Sequence, residues 1–459
     1  MKRQGTLVLP HKIAMELQRH LFPGDGLEAA ALLLCATAGD RRTKLLGREL
    51  VLVPHDRCSR ERSHITWPGE FVEEAIERAE ARGDVVIAVH SHPGGLYGFS
   101  AADDDSDKIL MGSLRHGTGR MTGSAIMVPG GAMRARLYEN DAAPVPVELV
   151  MSVGSDISLF WADTRTPVAP LAFSSDMRST LARMSACVIG VSGTGSVVAE
   201  QLARLGFGEI ILIDFDKLEA KNLNRILNSS IGDIGACKVE MFAEAVRRYR
   251  PDCNLVPMPL SIATRDAILA AADADVLFSC VDTAEGRHIA DRLAAYFAMP
   301  LFDVGVAIPT ASNAYGTRRI AEVYGRVDYV FPGGSSLLDR GVYDAAALEA
   351  EYLAANAPAA LARKVADGYL QGVGEEAPAV ISLNMRAASA CVLEFIARVF
   401  PFRQYPNEQR ARTIFMLGEG EEDAYAEGDF ELRNWFPVSV GPAEPLLGLP
   451  ALALKRRVE

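Results

Sequence analysis

Two α/β domains in series are predicted for this chain, on three observations. Its 459 residues suit two or three domains, each long enough to bury a core. Apolar runs of strand length alternate with stretches of helical periodicity over most of the length. Third, the glycine-rich turn Gly190–Gly195 lies between a strand-like and a helix-like run, as in a doubly wound parallel sheet.

Residues 1–150 form the first expected domain. An amphipathic segment, Glu70–Ala81, precedes the apolar strand Val85–Val89. A strand pair near Ala125–Val128 and Ala135–Tyr138 brackets Gly130-Gly131. The periodicity then fades, and Pro167 and Pro170 suggest a linker over 151–175. A second domain over 176–400 shows a βαβ rhythm, with strands at Ala186–Gly190, Glu209–Asp214, Asn254–Pro259, Asp275–Ser279 and Leu301–Val304. Between the first two, Ser196–Leu205 sets Val198, Leu202 and Leu205 on one helical face. Further on come a Gly/Ser loop at 332–336, helices at 344–356 and 384–399, and a tail, 401–459, expected to pack on the second domain.

Bulk composition excludes several classes. Hydrophobic residues make up 49% and charged residues 23%, the balance of a soluble globular protein. A net charge of −12 argues against non-specific nucleic-acid binding. No apolar run approaches the roughly 18 residues of a membrane span, and the basic N-terminus, broken at Pro10, does not read as a signal peptide. Seven scattered cysteines without a CxxC pair fit a reducing cytoplasm.

The first chemical constellation is VVIAVHSHPGGLYGFSAAD, residues 85–103. His90 and His92 stand two apart on a strand, so both side chains reach one face and can hold one ion. Asp103, past a glycine-rich turn, can supply a third ligand and leave a fourth position for water, the catalytic arrangement of zinc. A lone HxH more often marks ordinary polar residues at a strand end; His55 and His64, with no partner at ligand spacing, read as surface residues. The whole string, with His90, His92, Pro93, Ser100 and Asp103 in order, resembles the signature of JAB/MPN-type (JAMM) metalloproteases. That resemblance implies Zn²⁺ on His90, His92 and Asp103, Glu28 of GLEAAALLLC as general acid/base, and Ser100 as an oxyanion donor.

The second is Gly190–Asp216, GVSGTGSVVAEQLARLGFGEIILIDFD. Gly190, Gly193 and Gly195 lie between a strand and a helix, where backbone N–H groups receive phosphate. Asp214 closes the next strand and can bind ribose hydroxyls, as in NAD enzymes too. The following segments, DFDKLEAKNLNRI, IGACKVEMF and VLFSCVDTAEGR, resemble the activating enzymes of ubiquitin-like proteins and their bacterial relatives in molybdopterin and thiamine biosynthesis. The resemblance spans roughly 170–400. It implies ATP at Gly190, Gly193, Gly195, Asp214, Asp216 and Asn222, phosphate neutralisation by Arg225 and Lys238, and Mg²⁺ on Asp282. It also implies a homodimer through this domain, with Arg165 or Arg178 as candidates to reach across.

The chain leaves that family's pattern where relatives carry cysteines. VFPGGSSLLDRGVYD places Ser336 and Asp339 at two cysteine positions, so no structural zinc is expected in the second domain. Either Ser336 accepts the acyl group as an oxyester, with Asp339 as base, or the reaction ends at the acyl-adenylate; Ser335 and Ser336 also read as plain loop residues, or a serine as an engineered replacement for cysteine. The resemblances together imply a bifunctional enzyme of a bacterial ubiquitination-like, antiphage pathway. Its expected partners are a ubiquitin-like protein and a conjugating-enzyme-like protein, with no nucleic acid or membrane. Sulfur-carrier activation for biosynthesis is the rival reading, and a degenerate nucleotide-binding scaffold a third.

Overall fold

The computed structural model describes residues 5–39, 41–139, 143–312, 318–366 and 380–454. Two compact units emerge from its contacts. The first is Met1–Ala169 with Ala295–Ala298 and Pro437–Ala443, and the second is Pro170–Ala294, Met299–Phe436 and Glu444–Glu459. Among the described residues no helix is long and apolar enough to cross a membrane.

In chain order the first unit contains β1 (Thr6–Pro10), α1 (His11–Leu21), β2 (Ala30–Ala38), β3 (Lys44–Leu52), β4 (Ser59–Arg60), β5 (Ile65–Thr66) and α2 (Glu70–Arg82). There follow β6 (Val85–Ser91), α3 (Ala101–Thr118), β7 (Thr122–Met127), β8 (Met133–Tyr138), β9 (Val145–Pro146), β10 (Leu149–Val153) and β11 (Ile157–Trp161). Nine strands join in one sheet, ordered β11-β10-β1-β3-β2-β6-β7-β8-β9. Its central strands are apolar without alternation because both faces are covered. Leu33, Ile87 and Val89 pack with Leu17 and Leu21 of α1; Leu32, Leu34, Val86 and Ala88 pack with Ala75 and Ala79 of α2 and Leu114 of α3.

Part of the stretch expected as a linker, 151–175, is strand. β11 pairs antiparallel with β10 from Leu149↔Trp161 to Val153↔Ile157. Ile157 and Trp161 are buried while the residues between them are half-exposed, so an edge strand with one covered face blurs the apolar pattern.

The second unit contains α4 (Ser175–Leu181), β12 (Ser185–Ile189), α5 (Gly193–Leu205), β13 (Glu209–Ile213), α6 (Lys238–Arg247), β14 (Asn254–Met258), α7 (Arg265–Ala272), β15 (Val276–Ser279), α8 (Ala284–Tyr296) and β16 (Leu301–Ala307). β17 (Thr310–Ser312), β18 (Arg318–Ile320), β19 (Tyr324–Val330), α9 (Ala345–Asn356), α10 (Pro358–Ala366), α11 (Ile381–Val399), β20 (Arg412–Met416) and β21 (Glu421–Tyr425) complete it. Its large sheet runs β14-β13-β12-β15-β16-β19-β20-β21. The first five strands are parallel and the last three are added antiparallel. Chain order reverses between β12 and β15. In a doubly wound sheet the crevice at such a switch point, outside the strands' carboxyl ends, is where ligands bind. α11 closes one face of the sheet, with Phe395 against Phe207, Phe278 and Phe302.

Candidate functional site

The first constellation assembles at the middle of the nine-stranded sheet. β2 and β6 are antiparallel neighbours with Ala30 opposite His90, which sets Glu28, two residues before Ala30, at the end of the sheet where His92 leaves β6. Ser100 is the N-cap of α3: its Oγ accepts from Asp103 N at 3.2 Å, and Asp103 Oδ2 accepts from Ser100 N at 2.6 Å. The Ser-x-x-Asp string is therefore also a capping box, and that box fixes the Asp103 carboxyl toward the histidines.

His90 Nε2 lies 3.1 Å from His92 Nε2, 3.0 Å from Asp103 Oδ1 and, on the other side, His92 Nε2 lies 3.4 Å from Asp103 Oδ2. Ligands at about 2.0–2.1 Å from a tetrahedral zinc stand about 3.3 Å apart. The donor set fits that ion in both chemistry and spacing. His92 Nδ1 lies 2.8 Å from the Leu96 carbonyl oxygen, so Nδ1 carries the donated proton and Nε2 keeps its lone pair for the ion. Asp103 is held well below the usual carboxylate range: burial alone would raise it, and its polar contacts with His90 and His92 outweigh that. Burial, with the two histidines pulling the other way, pushes Glu28 up. Glu28 is 6% exposed, and a buried carboxylate with a raised pKa suits proton transfer near neutral pH.

Beneath α3 lies a network that sequence reasoning missed. Arg136 of β8 donates to Asp107 through Nε (3.0 Å) and Nη2 (2.7 Å) and to Asp104 through Nη1 (2.5 Å). Ser124 and Tyr138 also donate to Asp107, and the Arg136 guanidinium lies 3.8 Å from the centroid of Phe99. Asp104 adjoins Asp103 and Phe99 adjoins Ser100, so one arginine steadies both flanks of the cap. No short motif announces it. His55, expected on the surface, is half-buried and stacks on His20 at 4.6 Å; His64 is exposed.

The second constellation gathers at the switch point. Gly190, at φ +84°, turns the chain out of β12, and a Cβ there would press on the Cys280 carbonyl. At Gly195 a Cβ would overlap the Gly190 carbonyl oxygen, so the helix start and the turn pack only as glycine. Asp214, at the end of β13, ties the loop down: Oδ2 accepts from Val191 N at 2.7 Å and Oδ1 from Asp216 N at 2.8 Å. Burial pushes Asp214 up.

Arg225 lies over Gly193, where a Cβ would fall 3.1 Å from Arg225 Cδ. Asn222 Oδ1 accepts from Glu219 N at 3.0 Å, forming the 3₁₀ turn that leads to Arg225. Lys238 opens α6, is 4% exposed, and pairs with Asp216 at 2.7 Å. Asp282 is exposed two residues beyond Cys280. Gly190, Gly193, Gly195, Asp214, Asp216, Asn222, Arg225, Lys238 and Asp282 thus lie on the loops that leave β12, β13 and β15, in the first turn of α5, and on the segment from β13 to α6.

Ser336 has other partners. It is 4% exposed, its Oγ donates to Asp339 Oδ2 at 2.8 Å, and the same Oγ accepts from Asp339 N at 3.0 Å. Asp339 Oδ1 accepts from Arg433 N and from Asn434 N and Nδ2 at 2.8–3.0 Å. Hydrogen bonds therefore hold this loop to the tail segment 433–434. Of the candidate arginines, Arg178 lies against Gly206 at the C-terminal end of α5, a 13-residue helix or about 20 Å from the glycine loop. Arg165 is exposed in the first unit.

Comparison with known proteins agrees with this division. The ThiF family model matches residues 167–409, and the model of prokaryotic homologs of the JAB domain matches residues 10–139. Ubiquitin-like modifier-activating enzyme 5 of Bombyx mori is 31% identical over 160 residues, covering 32% of this chain and 37% of that protein. The tRNA threonylcarbamoyladenosine dehydratase of Haemophilus influenzae is 41% identical over 83 residues, 18% of this chain and 32% of the enzyme. The chain thus spans about a third of the length of the curated relatives it matches. The crystal structure of E. coli MccB with ATP superimposes with a TM-score of 0.41 and 16% identity, over 55% of this chain and 66% of that one.

Proposed function

The chain belongs to the ThiF family, and from that premise we propose that it adenylates the C-terminal carboxylate of a ubiquitin-like protein. A JAB-type zinc isopeptidase in the same chain cleaves such proteins from precursors or conjugates. The observation that carries the adenylation half is Arg225 over Gly193 at the mouth of the glycine loop. The Arg225 stem packs there on the first residue of a helix, and a guanidinium and a helix N-terminus both attract phosphate.

In the step itself, a carboxylate oxygen of the tail attacks the α-phosphorus of ATP. The bond from that phosphorus to the bridging oxygen breaks, releasing pyrophosphate and leaving the acyl-adenylate. Arg225 and Lys238 offset the gathered negative charge, and Asp282 would hold Mg²⁺. Lys238, paired with Asp216, is held in place beside the site. The end product is the acyl-adenylate rather than an ester on Ser336, a reading supported by the buried hydrogen bonds of that serine.

In the isopeptidase half, His90, His92 and Asp103 would hold zinc, which supplies a water of lowered pKa when bound. Glu28 takes a proton and returns it to the leaving amine. Ser100 accepts from Asp103 N, which leaves its own hydroxyl proton for the oxyanion. A bacterial, cytoplasmic ubiquitination-like pathway with a conjugating-enzyme-like partner, and a homodimer of the second domain, complete the proposal. Pyrophosphate exchange into ATP that depends on the partner's terminal glycine tests it. Tight NAD binding without ATP binding overturns it, and a thiocarboxylate product would redirect it to sulfur transfer.

A further inference from the structure

We propose that Asn384 is a nucleotide-binding residue whose carboxamide donates to a phosphate oxygen seated over Gly193; this rests on the adenylation reading above. Asn384 lies in the first turn of α11, nearly 190 residues from the glycine loop in sequence, and no motif marks it. It is 3% exposed. A Cβ on Gly193 would collide with Asn384 Nδ2, and the same point lies 3.1 Å from Arg225 Cδ and 3.2 Å from Arg225 Cγ. Three groups from three separate segments therefore converge on the first residue of α5: the Gly193 backbone, the Arg225 side chain and the Asn384 amide.

A core asparagine normally satisfies its amide within the protein, because a buried polar atom without a partner costs on the order of 1–3 kcal/mol. Here Oδ1, the acceptor, is buried without a hydrogen-bond partner among the described residues, and it is the donor Nδ2 that faces Gly193. α11 is otherwise an apolar helix on this side, with Leu383, Ala387, Ala388 and Cys391 buried, and a leucine or alanine would suit a purely packing role at 384. A polar amide retained at the mouth of the glycine loop, beside the Arg225 stem, has the chemistry of an anion contact. Its two hydrogens add a neutral donor to the charge of Arg225. The open Cα of Gly193 is what lets that amide approach.

The experiment is ATP binding to the full chain, measured by isothermal titration calorimetry for wild type, Asn384→Ala and Asn384→Asp, with thermal melts of each. A phosphate contact predicts a Kd for ATP weakened about 10-fold or more by alanine, as for a hydrogen bond to a charged group. Aspartate, the same shape with a negative charge, should weaken it further. A packing role predicts the opposite order, because aspartate conserves shape and alanine leaves a void. That order, or a wild-type Kd in both variants, overturns the proposal. Should the aspartate variant fail to fold, Asn384→Ala decides alone: unchanged ATP affinity overturns the assignment, and a 10-fold loss with an unchanged melting temperature upholds it. Failure of the underlying adenylation reading looks different, since the wild type itself would then bind no ATP.

Discussion

His92 Nδ1 lies 2.8 Å from the Leu96 carbonyl oxygen, and this bond decides which imidazole nitrogen faces Asp103. The turn that follows the strand thereby sets the tautomer of a ligand on it. The purified chain is expected to carry about one zinc per molecule in residues 1–150. His92→Ala should abolish both zinc and cleavage of a ubiquitin-like fusion. Glu28→Ala should keep the zinc and lower cleavage by about 10²–10⁴-fold. Metal analysis and a cleavage assay on both variants decide it; a Glu28→Ala protein that cleaves normally removes Glu28 from the chemistry.

Arg136 should prove a structural support of the same site. Its partner Asp107 is 6% exposed and also receives Ser124 and Tyr138. Arg136→Ala leaves that carboxylate buried without its cation, which costs about 3–5 kcal/mol for a buried pair broken on one side. Urea denaturation should show a loss of that order. Arg136→Lys, which keeps the charge but not the fork, should recover only part of it.

Adenylation should depend on the residues at the switch point and not on Ser336. Asp282→Ala should abolish pyrophosphate exchange, and Gly195→Ala should abolish ATP binding because its methyl overlaps the Gly190 carbonyl oxygen. A Gly195→Ala protein that folds and binds ATP normally contradicts the loop geometry.

Much of this was legible in the sequence because the signals are local. The parallel strands at 185–189, 209–213, 254–258, 276–279 and 301–307 coincide with the predicted apolar runs to within a few residues, since a buried parallel strand is a short apolar block. His90, His92 and Asp103 were readable because a strand and a capping box bring them together over 14 residues. Other features were not. α3 buries only Asp107, Met111 and Leu114 along 18 residues, too sparse a stripe to register beside its run of aspartates. Asn384 reaches Gly193 through the packing of α11 on α5, a tertiary contact with no counterpart in local spacing.

Stability should also fall with rising pH through one buried carboxyl. Asp291 is wholly enclosed; burial pushes it up to about 7, against hydrogen bonds from Leu337 N, Tyr343 Oη and Leu338 N. The folded value lies above the unfolded one of about 4. The contribution is therefore complete below about pH 4 and lost as pH rises through about 7, on the order of 4 kcal/mol across the window. Asp291→Asn should flatten the pH dependence of the urea midpoint between pH 4 and 7. An unchanged slope would place the titration elsewhere.

Ser336 gives the last prediction. Its hydroxyl donates to Asp339 Oδ2 and accepts from Asp339 N, bonds that close a turn, and it is 4% exposed. Asp339 is held below the usual carboxylate range: burial would raise it, but the bonds from Ser336 and Asn434 outweigh that. A carboxylate so stabilised is a poor base for a hydroxyl that is almost wholly protonated at neutral pH. Incubation with ATP and the ubiquitin-like partner should therefore yield acyl-adenylate without an adduct on this chain. Ser336→Ala should leave pyrophosphate exchange unchanged and cost about 1 kcal/mol of stability, the usual effect of removing a side-chain hydrogen bond. The chemistry of any adduct separates the alternatives. An oxyester resists mild thiols but breaks with hydroxylamine, an amide survives both, and a thioester formed by Ser336→Cys yields to thiols. A hydroxylamine-labile wild-type adduct that Ser336→Ala removes and Asp339→Asn slows would make this serine the acyl acceptor and its bond to Asp339 the activating one.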